Sequence, residues 1–154
     1  MGSRLRGEEK SEAEENNLSQ QNVAIVRSIY EAIGKGDVPT VLGAFTPDAE
    51  WREADNFIYA GGNPYVGADA ILQGVFLRLA TEWDGFAAKP AQFLDAGDTV
   101  VVTGRYTGTY KATGKSIDAQ FAHFWTLRDG KAARFQQYTD TLQAAQAVQM
   151  AAGA

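Results

Sequence analysis

The side chains of this sequence that could move protons are one histidine and a few carboxylates. His123 is the only histidine, and it lies in the stretch FAHFWTLRDGKAARFQQYTDT, residues 121–141. An imidazole with an ordinary pKa of about 6.5 can give or take a proton near neutral pH. Asp140 lies in the same stretch, and Glu53 lies in AEWREAD, residues 49–55. The sequence therefore predicts acid–base chemistry with His123, Glu53 and Asp140 as candidate catalytic residues.

Each of these residues also has a plainer interpretation. His123 could be a half-buried imidazole with one hydrogen bond. Glu53 could be a surface carboxylate, because charged groups are seldom buried without a partner. Asp140 could cap a final helix that starts at Thr141, since aspartate is a preferred N-cap residue.

Six further side chains are candidate ligand-binding residues. The helical spacing of the first apolar segment places Tyr30 at the floor of a cavity. Tyr59 lies in a loop rich in glycine, asparagine and proline, and this loop could close the mouth of the cavity. Trp51 lies on the same face as Glu53 in the short strand expected over residues 49–55. For Trp51 and Phe124, a place in the core or at a dimer surface is favoured over a stacking contact with a ligand, because large aromatic residues dominate protein cores. The six are Tyr30, Trp51, Tyr59, Phe124, Gln137 and Tyr138.

The composition limits the classes of partner. The chain has no cysteine and one histidine, so we expect neither a metal nor another cofactor. A net charge of −5 disfavours nucleic acid, which binds basic surfaces. No apolar run reaches the roughly 18 residues of a membrane span, and the N-terminus is too polar for a signal peptide. We therefore expect a cytoplasmic protein whose partner is a small hydrophobic molecule.

The stretch around His123 predicts a β-hairpin. Phe121, His123 and Trp125 alternate with smaller or opposite-facing residues, which is the period of a strand. Asp129 and Gly130 follow at the turn, where glycine accepts a positive φ at no steric cost.

The rest of the chain predicts helices followed by strands. Residues 1–18 predict a flexible charged tail or a frayed first helical turn, residues 19–150 one domain, and residues 151–154 a short tail. A first helix should start near Gln20, with Asn17 or Ser19 as its cap, and Asp37 should cap a short second helix. A third helix should run from Ala68 to Trp83 and end at Asp84-Gly85. Strands are expected over residues 86–96 and 99–110. A third long strand should end at Leu127, and the second arm of the hairpin should form a fourth.

This order is typical of an α+β fold. A strongly bent antiparallel sheet, with three helices on its concave side, would enclose a cone-shaped apolar cavity. Concavities of this kind are the usual ligand sites.

Four motifs resemble the SnoaL-like, ketosteroid-isomerase-related proteins of the nuclear transport factor 2-like superfamily. They are GKGD after the first helix, FTPDAEW, NPYVGADAI and HFWTLRDGK with its later YTD. The resemblance covers residues 20–145 and implies the cone-shaped fold. It implies no single function, because the superfamily includes isomerases, cyclases, dehydratases, epoxide hydrolases and binding proteins.

The resemblance to ketosteroid isomerases implies a general base at Glu53, at the end of the first short strand. A buried glutamate can remove a proton next to a carbonyl if an apolar pocket raises its pKa. The two oxyanion-hole positions of these isomerases fall on Ile29 and Ala122. Tyr30 directly follows Ile29, but on a helix its side chain points about 100° away from that of Ile29. Steroid isomerisation is therefore not expected.

The resemblance to SnoaL-type polyketide cyclases implies an acid–base role for His123. The aspartate that those cyclases hold on the second hairpin arm is replaced by Gln137, and Asp140 matches a different carboxylate of the family. The Arg-x-Asp pair of limonene-epoxide-hydrolase-like enzymes is absent, because Thr107 follows Arg105 at that spacing.

Three functions follow as hypotheses. The first is a cofactor-independent isomerase, cyclase or dehydratase that acts on a hydrophobic carbonyl compound, and the second is a non-catalytic binding protein with the same cavity. The third is a scaffold that forms a homodimer through its outer sheet face, where exposed apolar residues would pack.

Overall fold

A computed structural model describes residues 11–150 as four helices and a six-stranded sheet. Helix α1 is Glu12–Gly34 and α2 is Val38–Gly43. Helix α3 is α-helical over Ala68–Ile71, π-helical over Leu72–Phe76 and α-helical again over Leu77–Glu82, and α4 is Thr141–Val148. None of the helices described is long and apolar enough to cross a membrane.

The strands form one sheet in the order β2-β1-β6-β5-β4-β3. Their bounds are β1 Phe45–Arg52, β2 Tyr65–Val66, β3 Trp83–Ala96, β4 Thr99–Tyr110, β5 Ser116–Arg128 and β6 Lys131–Thr139. Strands β3 to β6 form an antiparallel meander, whereas β1 pairs with β6 in parallel. The α+β prediction is confirmed.

The predicted hairpin is β5 and β6. Asp129 and Gly130 both have positive φ, 52° and 77°, as a two-residue turn of this kind requires. The register places His123 opposite Gln137, so the two side chains point to the same face of the sheet.

The expected start of the first helix is wrong. Helix α1 begins at Glu12, and Ser11 caps it by accepting a hydrogen bond from the Glu14 backbone N–H at 3.1 Å. Acidic side chains in the first turn add a favourable interaction with the helix dipole. Residues 12–18 therefore belong to the helix and not to a tail, while residues 1–10 and 151–154 lie outside the described part of the chain.

The expected end of the third helix is also wrong. Helix α3 stops at Glu82, and Trp83 is already the first residue of β3, in register with Tyr110. A buried aromatic residue fits either element, so spacing alone could not separate them.

The regular register of β3 and β4 is interrupted between Asp84 and Ala87 and between Pro90 and Gln92, and irregularities of this kind bend a strand. Gly104 faces the second irregularity, and a Cβ atom there would collide with the Lys89 carbonyl oxygen and with Phe121. The absence of a side chain at Gly104 therefore permits the close approach of the two strands. The bent sheet and the helices enclose an aromatic core.

The outer face of the sheet carries exposed apolar side chains. Leu94, Val101 and Phe124 are cross-strand neighbours in one row, and Ala122 lies opposite Tyr138 in the next. Phe124 and Tyr138 contact each other edge to face, with ring centroids 5.6 Å apart.

Candidate functional site

A cavity of about 330 Å³ lies between the concave face of the sheet, helix α1, helix α2 and helix α3. Most of its wall is apolar or aromatic, and its charged side chains are two carboxylates, Glu53 and Asp37. No lysine or arginine is among the described residues that line it. The polar groups of its inner wall are those of Tyr30, Trp51, Glu53, Tyr106, His123, Trp125 and Gln137.

Glu53 is the buried carboxylate of this cavity. It follows β1 directly, and only 2% of the residue is exposed. Within residues 11–150, its Oε2 atom has no hydrogen-bond partner, and neither has the neighbouring Trp51 Nε1. Burial raises the pKa of Glu53 from 4.5 to about 8. The nearby Trp51 indole N–H makes no hydrogen bond of normal geometry with the carboxyl group, and its proximity opposes this rise only in part. A carboxyl group with this pKa can exchange protons near neutral pH.

His123 lies between two tyrosine hydroxyl groups. Its Nδ1 atom is 2.5 Å from Tyr30 Oη, and its Nε2 atom is hydrogen-bonded to Tyr106 Oη. The imidazole ring is stacked on Phe121 with a centroid distance of 3.9 Å. Both ring nitrogens are therefore occupied, and the ring plane is held by packing.

Two further side chains donate hydrogen bonds to the hydroxyl groups of these two tyrosines. The Trp125 indole N–H donates to Tyr30 Oη at 2.9 Å, and the Gln137 amide N–H donates to Tyr106 Oη at 2.9 Å. The Gln137 Oε1 atom in turn accepts from the Ala54 backbone N–H at 3.0 Å. We call Trp125, Tyr30, His123, Tyr106 and Gln137 the Tyr–His–Tyr chain.

Burial keeps the Tyr–His–Tyr chain uncharged. It lowers the pKa of His123 well below 6.5 and raises the pKa values of Tyr30 and Tyr106 well above 10. The negative charge of ionised Glu53 raises the pKa of Tyr106 further. A neutral imidazole and neutral phenols can donate hydrogen bonds, but they do not supply a free base at neutral pH. Glu53 is therefore the better proton acceptor.

Five of the predicted site residues lie together in the cavity wall. The structure brings together Glu53, His123, Tyr30, Trp51 and Gln137. Ile29 is buried in the core, and it is Tyr30 that presents a hydroxyl group to the site. The structure therefore places the Tyr30 hydroxyl in the cavity wall, as the helical spacing predicts, although the aligned oxyanion position itself falls on Ile29.

Three predicted site residues do not reach the cavity. Asp140 is the N-cap of α4 and accepts a hydrogen bond from the Gln143 backbone N–H at 3.3 Å, so its plainer interpretation is the correct one. Phe124 and Tyr138 are 39% and 54% exposed on the outer face of the sheet. Side chains of a strand alternate between faces, and His123 and Gln137 occupy the inner one. The placement of Phe124 and Tyr138 at the ligand was therefore wrong.

Tyr59 does not close the cavity mouth. It is 2% exposed and packs in a small cluster with Ala54 and Phe57. Its hydroxyl donates to Glu82 Oε1 at 2.7 Å and accepts from Trp83 Nε1 at 3.0 Å. These bonds fasten the glycine-rich loop to α3, and Phe57 is the loop residue that lines the cavity.

Tyr106 is the site residue that sequence reasoning missed. It lies on β4, two residues after Gly104 and four after Val102, and these buried positions alternate with half-buried or exposed ones. The period-2 pattern could have placed Tyr106 on the inner face. What the pattern does not supply is the register that sets its hydroxyl group beside His123.

A bent sheet that holds an aromatic, carboxylate-bearing cavity under its helices defines an NTF2-like protein. An NTF2-like protein from Burkholderia thailandensis E264 has a similar structure, with 44% identity, a TM-score of 0.79 and coverage of 83% of this chain and 97% of that one. An NTF2-like protein from Burkholderia xenovorans LB400 is 30% identical, with a TM-score of 0.72 and coverage of 84% and 97%. TerC, co-crystallised with polyporic acid, is 27% identical, with a TM-score of 0.73 and coverage of 82% and 97%.

The model of the SnoaL-like domain matches residues 26–135, so the chain belongs to the SnoaL-like family. No curated protein is significantly similar to it. The predicted family is confirmed.

Proposed function

We propose that this protein is a cofactor-independent enzyme that moves a proton on a hydrophobic carbonyl compound. The main support is the buried, unpaired carboxyl group of Glu53, whose pKa of about 8 suits a general base near neutral pH. The apolar cavity supports a hydrophobic substrate, and SnoaL-like membership is compatible with isomerase, cyclase or dehydratase chemistry.

The proposed reaction begins when ionised Glu53 takes a proton from the carbon next to the carbonyl group. The electron pair moves onto the carbonyl oxygen, and a hydroxyl group of Tyr30 or Tyr106 donates a hydrogen bond to that developing charge. Protonated Glu53 then returns the proton to the same or another carbon of the substrate. His123 holds the tyrosines and does not touch the substrate.

Hydrogen–deuterium exchange tests this function without knowledge of the natural substrate. We expect the protein to catalyse deuterium incorporation next to the carbonyl of 2-tetralone or a related aryl ketone in D₂O, because enolisation is the first proposed step. NMR of the recovered ketone measures the incorporation. If a panel of bulky ketones shows binding but no exchange above the buffer rate, the enzymatic proposal fails.

A second candidate is a non-catalytic binding protein for a small organic cation. The observation that favours it is an unpaired carboxyl group among aromatic side chains, in a cavity whose lining, over the part of the chain that the structure describes, contains no lysine or arginine. Aromatic faces attract cations, and a carboxylate supplies the opposite charge. Calorimetry with benzyltrimethylammonium distinguishes the two candidates, since only a binding protein would take up this probe tightly and return every ketone unchanged.

We also propose that the outer sheet face binds a second copy of the chain. Its exposed centre is apolar, with Leu94, Phe124 and Tyr138 in adjacent rows, and a symmetric dimer would cover it. Phe124→Asp should then yield monomers in sedimentation velocity. Leu142→Asp is the matched control, because Leu142 is 63% exposed on α4. A wild-type monomer at high protein concentration would contradict the dimer.

A further inference from the structure

We propose that Asn63 is a positioning residue that holds Glu53 in the cavity wall, because its side-chain amide takes the place of a strand partner for the Glu53 backbone. The inference rests on the proposed function, since it assigns a role toward the general base. It follows from the register of β1 and β2 and from two hydrogen bonds of the Asn63 side chain.

The backbone of Glu53 lies just beyond the part of β1 that pairs with β2. Strand β1 ends at Arg52, and Glu53 is the next residue. Strand β2 covers only Tyr65–Val66, and its pair nearest to Glu53 joins Trp51 to Tyr65. The Glu53 N–H and C=O groups at this edge therefore need another partner, because buried backbone groups are seldom left without one.

Asn63 lies where that partner is needed. Continued by two residues, the antiparallel register of β1 and β2 places Asn63 opposite Glu53. The Asn63 backbone N–H is already used, since it donates to the Ala60 carbonyl oxygen at 3.1 Å. The side chain completes the ladder instead. Asn63 Oδ1 accepts from the Glu53 N–H at 2.8 Å, and Asn63 Nδ2 donates to the Glu53 carbonyl oxygen at 2.8 Å.

A second side-chain amide holds the next peptide group. Gln137 Oε1 accepts from the Ala54 backbone N–H at 3.0 Å. Both amides bind the backbone, and the Glu53 Oε2 atom makes no hydrogen bond within the described residues. The backbone of the base is thus fixed while this carboxyl oxygen stays unpaired, as proton transfer in a defined geometry requires.

Asn63 also links Glu53 to the loop of residues 56–67. The Tyr65 hydroxyl donates to the Tyr59 carbonyl oxygen in this loop, and the Tyr59 hydroxyl fastens the loop to Glu82. Asn63 itself is not among the residues that line the cavity. It therefore acts on the reaction only through Glu53. A residue that merely stabilised the loop would affect the folded state without a specific effect on the carboxyl group.

Asn63→Ala tests this role through Glu53 itself. Without the amide, we expect the carboxyl group to move toward water, so its carbon-13 NMR titration midpoint should fall from about 8 by at least about one pH unit. At about pH 9, where the carboxyl group is ionised in both proteins, kcat for ketone exchange should fall by roughly 100-fold. KM should change little, because a misplaced base impairs proton transfer more than binding.

Tyr65→Phe is the matched control. It removes a hydrogen bond of the same loop and leaves both bonds between Asn63 and Glu53 in place. This variant should keep the wild-type midpoint and the wild-type kcat. A folded Asn63→Ala variant with an unchanged midpoint and kcat would overturn the assignment. Equal changes in Tyr65→Phe would also overturn it, because they would indicate a general need for an ordered loop.

Asn63→Asp keeps the test decisive if the alanine variant does not fold. An aspartate has nearly the same shape and retains an acceptor for the Glu53 N–H, but its carboxylate cannot donate to the Glu53 carbonyl oxygen. We expect kcat to fall by at least about tenfold, and a wild-type kcat would overturn the proposal. Absence of ketone exchange in the wild type would instead reject the proposed function, and the titration midpoints would still decide the role of Asn63.

Discussion

A Glu53→Gln variant is expected to be more stable than the wild type at pH 8 and to lose this advantage at pH 4.5. Glu53 has a folded-state pKa of about 8 against 4.5 for an unperturbed glutamate. At about 1.4 kcal/mol per pH unit, the wild type would lose up to roughly 5 kcal/mol of unfolding free energy as the pH rises from 4.5 to 8. Relaxation of the site reduces this value, so we expect about 2–4 kcal/mol.

The sign of this effect follows from proton binding. Below pH 4.5, Glu53 is protonated in both the folded and the unfolded states, and its burial carries no charge penalty. As the pH rises toward 8, the unfolded state ionises first, and stability falls. A glutamine remains neutral, so the variant escapes this loss.

Urea unfolding at several pH values measures the difference between the variant and the wild type. Glu50→Gln is the matched control, because Glu50 lies on β1, three residues before Glu53, with its side chain 37% exposed beside Arg52. This control should behave like the wild type across the pH range. The difference in unfolding free energy between Glu53→Gln and the wild type should grow between pH 5 and pH 8. A constant difference would contradict a buried carboxyl group with a raised pKa.

The same Glu53→Gln substitution should lower kcat/KM for ketone exchange by roughly 100- to 10,000-fold, the usual contribution of a general base. A glutamine has nearly the same shape but cannot accept the proton. In the wild type, the rate should rise with pH and level off above about pH 8, because ionised Glu53 is the active form.

The rate is measured by NMR on the same ketone at a series of pH values. Glu50→Gln should retain the wild-type rate, since its side chain belongs to the opposite face of β1. Exchange that survives in Glu53→Gln would assign the base to another group, and a flat pH profile between 6 and 9 would have the same meaning.

The fold could be predicted from the sequence wherever local chemistry determined it. Asp129-Gly130 predicted the hairpin because its turn needs positive φ, and strand periodicity placed His123 on the inner face beside Phe121. Element ends were less predictable. Ser11 caps α1 earlier than its apolar stripe begins, so periodicity placed the start eight residues too late.

The candidate site was predictable only in part, because it depends on which strands become neighbours. Glu53 and His123 were found from residue type and family resemblance. Strands β4 and β5 are consecutive, but the register that brings Tyr106 to His123 is not given by strand periodicity. Asp140 was misplaced for a related reason, since a carboxylate before a helix satisfies a cap as readily as a cavity.

Gln137 illustrates how the structure changes the interpretation of a residue. From the sequence it marks the loss of a cyclase aspartate. In the structure its amide accepts from Ala54 and donates to Tyr106, which an aspartate could not do with both partners. The substitution therefore accompanies a different site, in which neutral hydrogen-bond donors face a single carboxyl group.

A carbon-13 NMR titration of the glutamate carboxyl groups tests the central claim most directly. The Glu53 signal can be identified as the one that is absent from the Glu53→Gln spectrum. The account predicts that this signal titrates with a midpoint near 8, as expected for a carboxyl group buried in an apolar cavity. A midpoint near 4.5 would contradict the account, because Glu53 would then be an ordinary solvated carboxylate.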